Sequence, residues 1–132
     1  MEEKYNEATI NRPEGDRPVD APLVLIDIPD FIKQLKKEKA WDKNDRNAIT
    51  VFKNDKMRVI LVAMHKKAEM TTEHPENIFS LQVIDGKVKL HTSEKTIEVR
   101  EEQLFVLHAN IPYKVEALKK SIFLLTVVES TV

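Results

Sequence analysis

Ile78-Phe79-Ser80-Leu81-Gln82-Val83-Ile84-Asp85-Gly86-Lys87-Val88-Lys89-Leu90-His91-Thr92 carries the densest structural signal in the chain. Before Asp85-Gly86, Phe79, Leu81 and Val83 alternate with other residues; after it, Val88 and Leu90 alternate with Lys87, Lys89 and His91. That period of two is the mark of strands with one buried face, and it puts His91 on the solvent side. Asp-Gly between two such runs predicts a β-hairpin, because both central residues of the tight turn need φ > 0.

Outward from this stretch, strand follows strand. Downstream, segments 96–100, 104–108, 113–118 and 122–129 are broken by Glu101-Glu102, the loop 109–112 and Lys119-Lys120. Upstream, 48–53 and 57–65 are separated by Asn54-Asp55-Lys56, a turn made from Asn and Asp. Seven or eight short strands with turns between them predict a β-sandwich or a closed barrel. Further upstream, the β-branched run Leu23-Val24-Leu25-Ile26-Asp27-Ile28 reads as a short strand. Pro29-Asp30 then opens one helix, to about Ala40, with Phe31, Ile32 and Leu35 on its apolar face. Its opposite face carries Lys33, Lys36, Lys37 and Lys39. Glu38, Asp42 and Asp45 lie nearby and no aromatic side chains interleave, so this is a solvated face, not a phosphate-binding stripe. Trp41 is expected to close the core. Residues 1–22 hold Pro13, Pro18, Pro22 and Gly15, and read as an extended or disordered arm, free or docked on a partner subunit.

A chain of 132 residues is the size of one domain, and 23–132 is expected to form it. Twenty-one Lys and Arg against 22 Asp and Glu leave a formal charge of −1, which supplies no global attraction for nucleic acid or an anionic membrane. The absence of cysteine removes disulfides, thiolate metal sites and cysteine nucleophiles. With only Gly15 and Gly86, neither a dinucleotide fingerprint nor a phosphate-binding loop can be written. The same shortage denies Ser80, Ser93, Ser121 and Ser130 a Gly-x-Ser-x-Gly context. The longest apolar runs, 59–64 and 122–128, are far shorter than the roughly 20 residues a spanning helix needs. Met1-Glu2-Glu3-Lys4-Tyr5 is acidic where a secretory signal is basic, so a cytoplasmic, soluble protein is expected.

Over about 48–129, and most specifically at 72–86 and 102–113, the chain resembles the cupins, the small jelly-roll barrels. Their first motif is His-x-His, a Glu five residues later and a Gly seven residues after that. With the glycine on Gly86, these positions hold Thr72, His74 and Phe79. Their second motif, Gly, then Pro-x-Gly, then His, falls on Glu102, His108, Asn110 and Tyr113. The pattern of Arg46-Asn47-Ala48-Ile49-Thr50, Glu73-His74 and Leu81-Gln82-Val83-Ile84-Asp85-Gly86 looks like one small bacterial subgroup of that family, which brings no settled activity with it. The resemblance implies a mostly β, cupin-like jelly-roll barrel with one short N-terminal helix.

Metal-binding cupins hold iron, manganese, zinc or nickel with the two motif-one histidines, the Glu and the motif-two His. Here only His74 keeps such a side chain. Thr72 offers a hydroxyl, Phe79 an apolar ring and Tyr113 a phenol with an ordinary pKa of about 10. One imidazole does not make a metal site, since catalytic zinc normally takes three protein ligands. No cofactor is therefore expected; a rebuilt divalent transition-metal site would need His74 with His65 or His108, which end the strands 57–65 and 104–108. Without metal, Thr72, His74, Phe79 and Tyr113 describe a mostly apolar pocket with a few polar groups, as small organic ligands use. Three readings follow: a non-catalytic binder or scaffold, a metal-dependent oxygenase, isomerase or epimerase, and a metal-free pair with His74 as base and Tyr113 as acid. A homodimer is expected, because the edge of a strand at 23–28 asks for cover.

Overall fold

A computed structural model describes residues 3–71 and 76–129. Eleven strands and two helices follow one another: β1 (Lys4–Asn6), β2 (Arg17–Asp20), α1 (Ile28–Lys37), α2 (Lys39–Lys43), β3 (Arg46–Lys53), β4 (Met57–Met64), β5 (Glu69–Thr71), β6 (Ile78–Asp85), β7 (Lys87–His91), β8 (Thr96–Arg100), β9 (Leu104–Leu107), β10 (Lys114–Ala117) and β11 (Ser121–Val128). A five-stranded sheet, β3-β4-β11-β6-β9, faces a four-stranded one, β5-β10-β7-β8, and β1-β2 form a separate hairpin. All pairings are antiparallel. The mostly β architecture expected from the strand pattern, and the jelly roll that the resemblance implies, are what is found.

Two cores lie on either side of the larger sheet. Between the sheets, Val62, Met64, Phe79, Leu81, Val83, Val88, Leu90, Val115, Phe123 and Leu125 close on one another. On the outer side, Ile49, Val51, Val59, Leu61, Ala63 and Ile122 receive Leu35 of α1 and Trp41 of α2. β4 and β11 therefore bury both faces, which is why their runs 59–64 and 122–125 are apolar without alternation.

The hairpin expected at Asp85-Gly86 does not form. β6 pairs with β11 and β9, whereas β7 pairs with β10 and β8, so the chain leaves one sheet at Asp85 and enters the other at Lys87. Gly86 has φ +96° at this corner. A Cβ there would run into the Lys120 carbonyl oxygen and lie 2.5 Å from Ser121 Oγ. The Asp-Gly signal thus reports a left-handed residue, as it should, but a sheet-to-sheet corner uses that conformation just as a hairpin does. The turn at Asn54-Asp55-Lys56 is a true hairpin: Asn54 Oδ1 accepts from the Lys56 and Met57 N–H groups at 2.9 and 2.8 Å.

The strand expected over 23–28 is also absent. Residues 21–27 pair with no strand, and Leu23 and Leu25 stand 84% and 92% exposed. Pro22 and Pro29 bracket a β-branched-rich segment that has no neighbouring ladder to join. Its end serves the helix instead: Asp27 Oδ1 accepts from the Asp30 N–H at 3.1 Å as N-cap. The single helix expected to about Ala40 is two, separated by Glu38, whose backbone is extended at φ −73°, ψ 145°.

Glu38 breaks the helix because its carboxylate, 5% exposed, anchors a buried polar knot. Arg12 Nε donates to it at 3.0 and 3.1 Å, Gln34 Nε2 at 3.2 Å and Asn47 Nδ2 at 3.1 Å. Asn47 also donates to the Leu35 carbonyl at 2.9 Å. The segment before β3 is tied down further along the free edge of that strand. Arg12 Nη2 donates to the Ala48 carbonyl at 2.6 Å and Arg17 Nε to the Thr50 carbonyl at 2.9 Å. Burial, with the Arg12 charge beside it, holds the Arg17 pKa below the ordinary guanidinium value despite Glu38.

Candidate functional site

The space between the sheets is open beside β3, whose inward-facing Ala48 is exposed. There, β3, β4, β11, β6, β5 and Tyr113, just before β10, enclose a cavity of about 270 Å³. Period-two alternation selects its walls: Ile60 and Val62 from β4, Leu125 and Val127 from β11, Phe79 from β6. Met70, Thr71 and Tyr113 close it from the smaller sheet side, and Asn77, Arg46 and Arg58 stand at its rim.

Phe79 and Tyr113 come together as the motif spacing requires. Their ring centroids lie 4.3 Å apart at an interplanar angle of 36°, and Phe105 meets Phe79 edge-on at 5.5 Å. Thr72 and His74, the other two members of the expected pocket, lie outside the described residues. His65 is not brought to this cavity. It follows the odd-numbered, outward face of β4, where its ring stacks on Trp41 at 3.6 Å and Nε2 lies 2.7 Å from the Trp41 carbonyl oxygen. The sheet itself separates it from the pocket. His108 is exposed just beyond β9 and does not line the cavity. His91 lies on the outer face of the smaller sheet, as its alternation requires, 3.3 Å from Glu116 Oε1.

The described metal-ligand positions do not fit a metal. Phe79 and Tyr113 fill two of the four places with rings packed on each other, and a phenyl group donates no electron pair. Among the described residues no three His, Cys, Asp or Glu side chains come together in a group that could hold a metal ion.

The backbone turns at the positions where the second motif of the resemblance has glycine, although the residues there are not glycine. Glu102 and Asn110, at the two glycine positions, have φ +69° and +67°. Both adopt the left-handed conformation that favours glycine.

Arg46 and Arg58 were not among the site residues expected from the sequence. Arg58 shares the parity of Ile60, Val62 and Met64, and Arg46 that of Ala48, so period two was the signal that could have found them. Arg46 spans the seam between the sheets. It binds Asp45 Oδ1 at 3.0 Å and Oδ2 at 3.2 Å, and its Nη2 also donates to the Glu69 carbonyl on β5. The Arg46 hydrogen bond is the main cause holding the Asp45 carboxyl below its usual pKa. Arg58 forms no ion pair among the described residues.

No protein-family model and no curated protein matches the sequence. Solved structures do match. A conserved protein of unknown function from Streptococcus pyogenes superposes with a TM-score of 0.64 at 18% identity, over 86% of this chain and 93% of that one. A cupin superfamily protein from Desulfitobacterium hafniense gives 0.63 at 10% identity, over 66% and 80%. A cupin-2 domain containing protein from Shewanella frigidimarina gives 0.62 at 12%, over 77% and 92%. The chain has the cupin fold.

Proposed function

We propose that this cupin-fold protein is a non-catalytic binder of a small organic molecule, which enters the cavity beside β3. The reading rests on one observation: the paired rings of Phe79 and Tyr113 form the floor of a solvent-open cavity of about 270 Å³ whose walls are otherwise largely aliphatic. Apolar walls with few polar groups are what small-molecule sites offer, and the volume is close to the lower end of their usual range. Ala48 supplies the test, because it lines the cavity while exposed, so a large side chain there blocks the mouth without disturbing a core. A metabolite panel screened by thermal shift should raise the melting temperature of the native protein. Ala48→Trp should abolish that rise at unchanged unliganded stability, and Tyr113→Phe should reduce it. A panel without a hit that Ala48→Trp removes would sink the reading.

We also propose a homodimer. The strand once expected at 23–28 no longer argues for it, but the outer face of the larger sheet beyond the helices does. There Thr126, Ser80 and Val106 lie in register across β11, β6 and β9, as do Leu124, Gln82 and Leu104. None of the six is charged, and Leu104 and Val106 are 57% and 64% exposed. The outer face of the smaller sheet carries Lys87, Lys89, Glu98, Arg100, Lys114 and Glu116 in the equivalent positions. Depletion of charge over an exposed apolar strip is the composition of an interface core.

A further inference from the structure

The binding reading leaves the ligand's chemistry open, and the register of three strands narrows it. On the inner face, Arg58 of β4 stands opposite Val127 of β11, and Val127 stands opposite Phe79 of β6. With neighbouring strands about 4.8 Å apart, the Arg58 and Phe79 backbones are separated by roughly 10 Å, with Val127 as the surface between them. A cation thus sits at one end of a short apolar track and an aromatic pair at the other.

Among the described residues, the charges at the rim have one sign. Arg46 and Arg58 line the cavity, and none of the described residues that line it is acidic. Arg46 is already committed to Asp45 and to the Glu69 carbonyl across the seam. Arg58 has no such commitment among the described residues, although it also borders an outer groove that contains Glu76 and Glu129. A guanidinium beside aliphatic walls is costly to desolvate without a partner. It offers a planar fork that matches a carboxylate with two parallel hydrogen bonds.

We propose that the cavity takes an organic monocarboxylate, with the acid on the Arg58 guanidinium and an apolar or aromatic body lying over Val127 against Phe79 and Tyr113. This rests on the binding reading above, and the experiment separates the two. Isothermal titration compares 3-phenylpropanoate with 3-phenylpropanamide, and hexanoate with hexanamide, on the native protein, Arg58→Gln, Arg58→Lys and Ala48→Trp. Each acid should bind at least tenfold tighter than its amide, and that preference should shrink as salt is raised. Arg58→Gln should bring acid affinity down to the level of the amide and leave amide affinity unchanged. Arg58→Lys should recover part of the preference. Unfolding curves that coincide with the native one show that the variants are folded. Equal affinity for acid and amide, or an acid affinity indifferent to Arg58→Gln, overturns the carboxylate inference and leaves the pocket standing. Binding of neither acid nor amide, or binding that survives Ala48→Trp, overturns both.

Discussion

Lys67, Gly86, Glu102 and Asn110 are the described residues with left-handed backbone, at φ +77°, +96°, +69° and +67°. Each lies where the chain passes from one sheet to the other: β4 to β5, β6 to β7, β8 to β9 and β9 to β10. At Gly86 both conformation and space forbid a side chain, so Gly86→Ala should cost about 2 kcal/mol or more, read as a lower urea midpoint at unchanged slope. Glu102 is exposed and has the reverse problem. Glu102→Gly should relieve left-handed strain and raise stability by up to about 1 kcal/mol, the gain being limited by the greater freedom of glycine when unfolded. Asp45 sets a pH test. Its folded pKa is depressed by Arg46, so the stabilisation is full above its unfolded value and is lost as pH falls through the folded one. The carboxylate is largely exposed, so the effect is small. The stability difference between the native protein and Asp45→Asn should therefore close as pH falls from 7 toward about 3. The sequence disclosed the need for a left-handed residue at Gly86 because glycine announces it; Lys67 and Glu102 adopt the same backbone unannounced.

The strands were legible because their inner faces alternate, and most expected bounds fall within a residue or two of those found. The elements that were missed lack such a pattern. β1 and β2 are short, and β2 contains Pro18. β5 has three residues, of which only Met70 is half-buried, so nothing in Glu69-Met70-Thr71 stands out by period. Pairing partners were beyond reach for another reason: alternation tells which face a residue occupies but not which sheet receives the strand, hence the false hairpin at Asp85-Gly86. Nor does any local pattern join Arg12 to Glu38 and Asn47, whose contacts span 26 and 35 residues of chain. That knot makes a prediction at the scale of elements. Arg12→Ala leaves the Glu38 carboxylate buried with hydrogen bonds from the neutral donors Gln34 and Asn47, and with the Arg17 charge acting on it without a direct bond. Removal of one partner of a buried ion pair costs about 3 kcal/mol. Because the knot joins the N-terminal segment, α1 and β3, Arg12→Ala should also speed amide exchange in the helix as well as near the arm, which hydrogen-exchange mass spectrometry reads.

For the molecule as a whole, the proposed dimer predicts a light-scattering mass near twice the 15.3 kDa of the chain. Val106→Glu, which places a charge on the exposed apolar edge of the uncharged strip, should return it to the monomer mass with secondary structure intact by circular dichroism. A native protein that scatters as a monomer at tens of micromolar would remove the dimer. Of the candidate site, the sequence disclosed the aromatic pair, because motif spacing reaches Phe79 and Tyr113 across intervening strands. It did not disclose Arg58, although the residue shares the parity of the inward-facing Ile60 and Val62, because no motif position falls on it. The corners at Glu102 and Asn110 carry a last consequence, for how likeness of shape is detected. Sequence comparison weighs letters, and the positions where the cupin second motif has glycine hold glutamate and asparagine here. The backbone nonetheless turns left-handed at both, at φ +69° and +67°. A fold whose corners do not depend on glycine is better sought by its dihedral angles than by its alphabet.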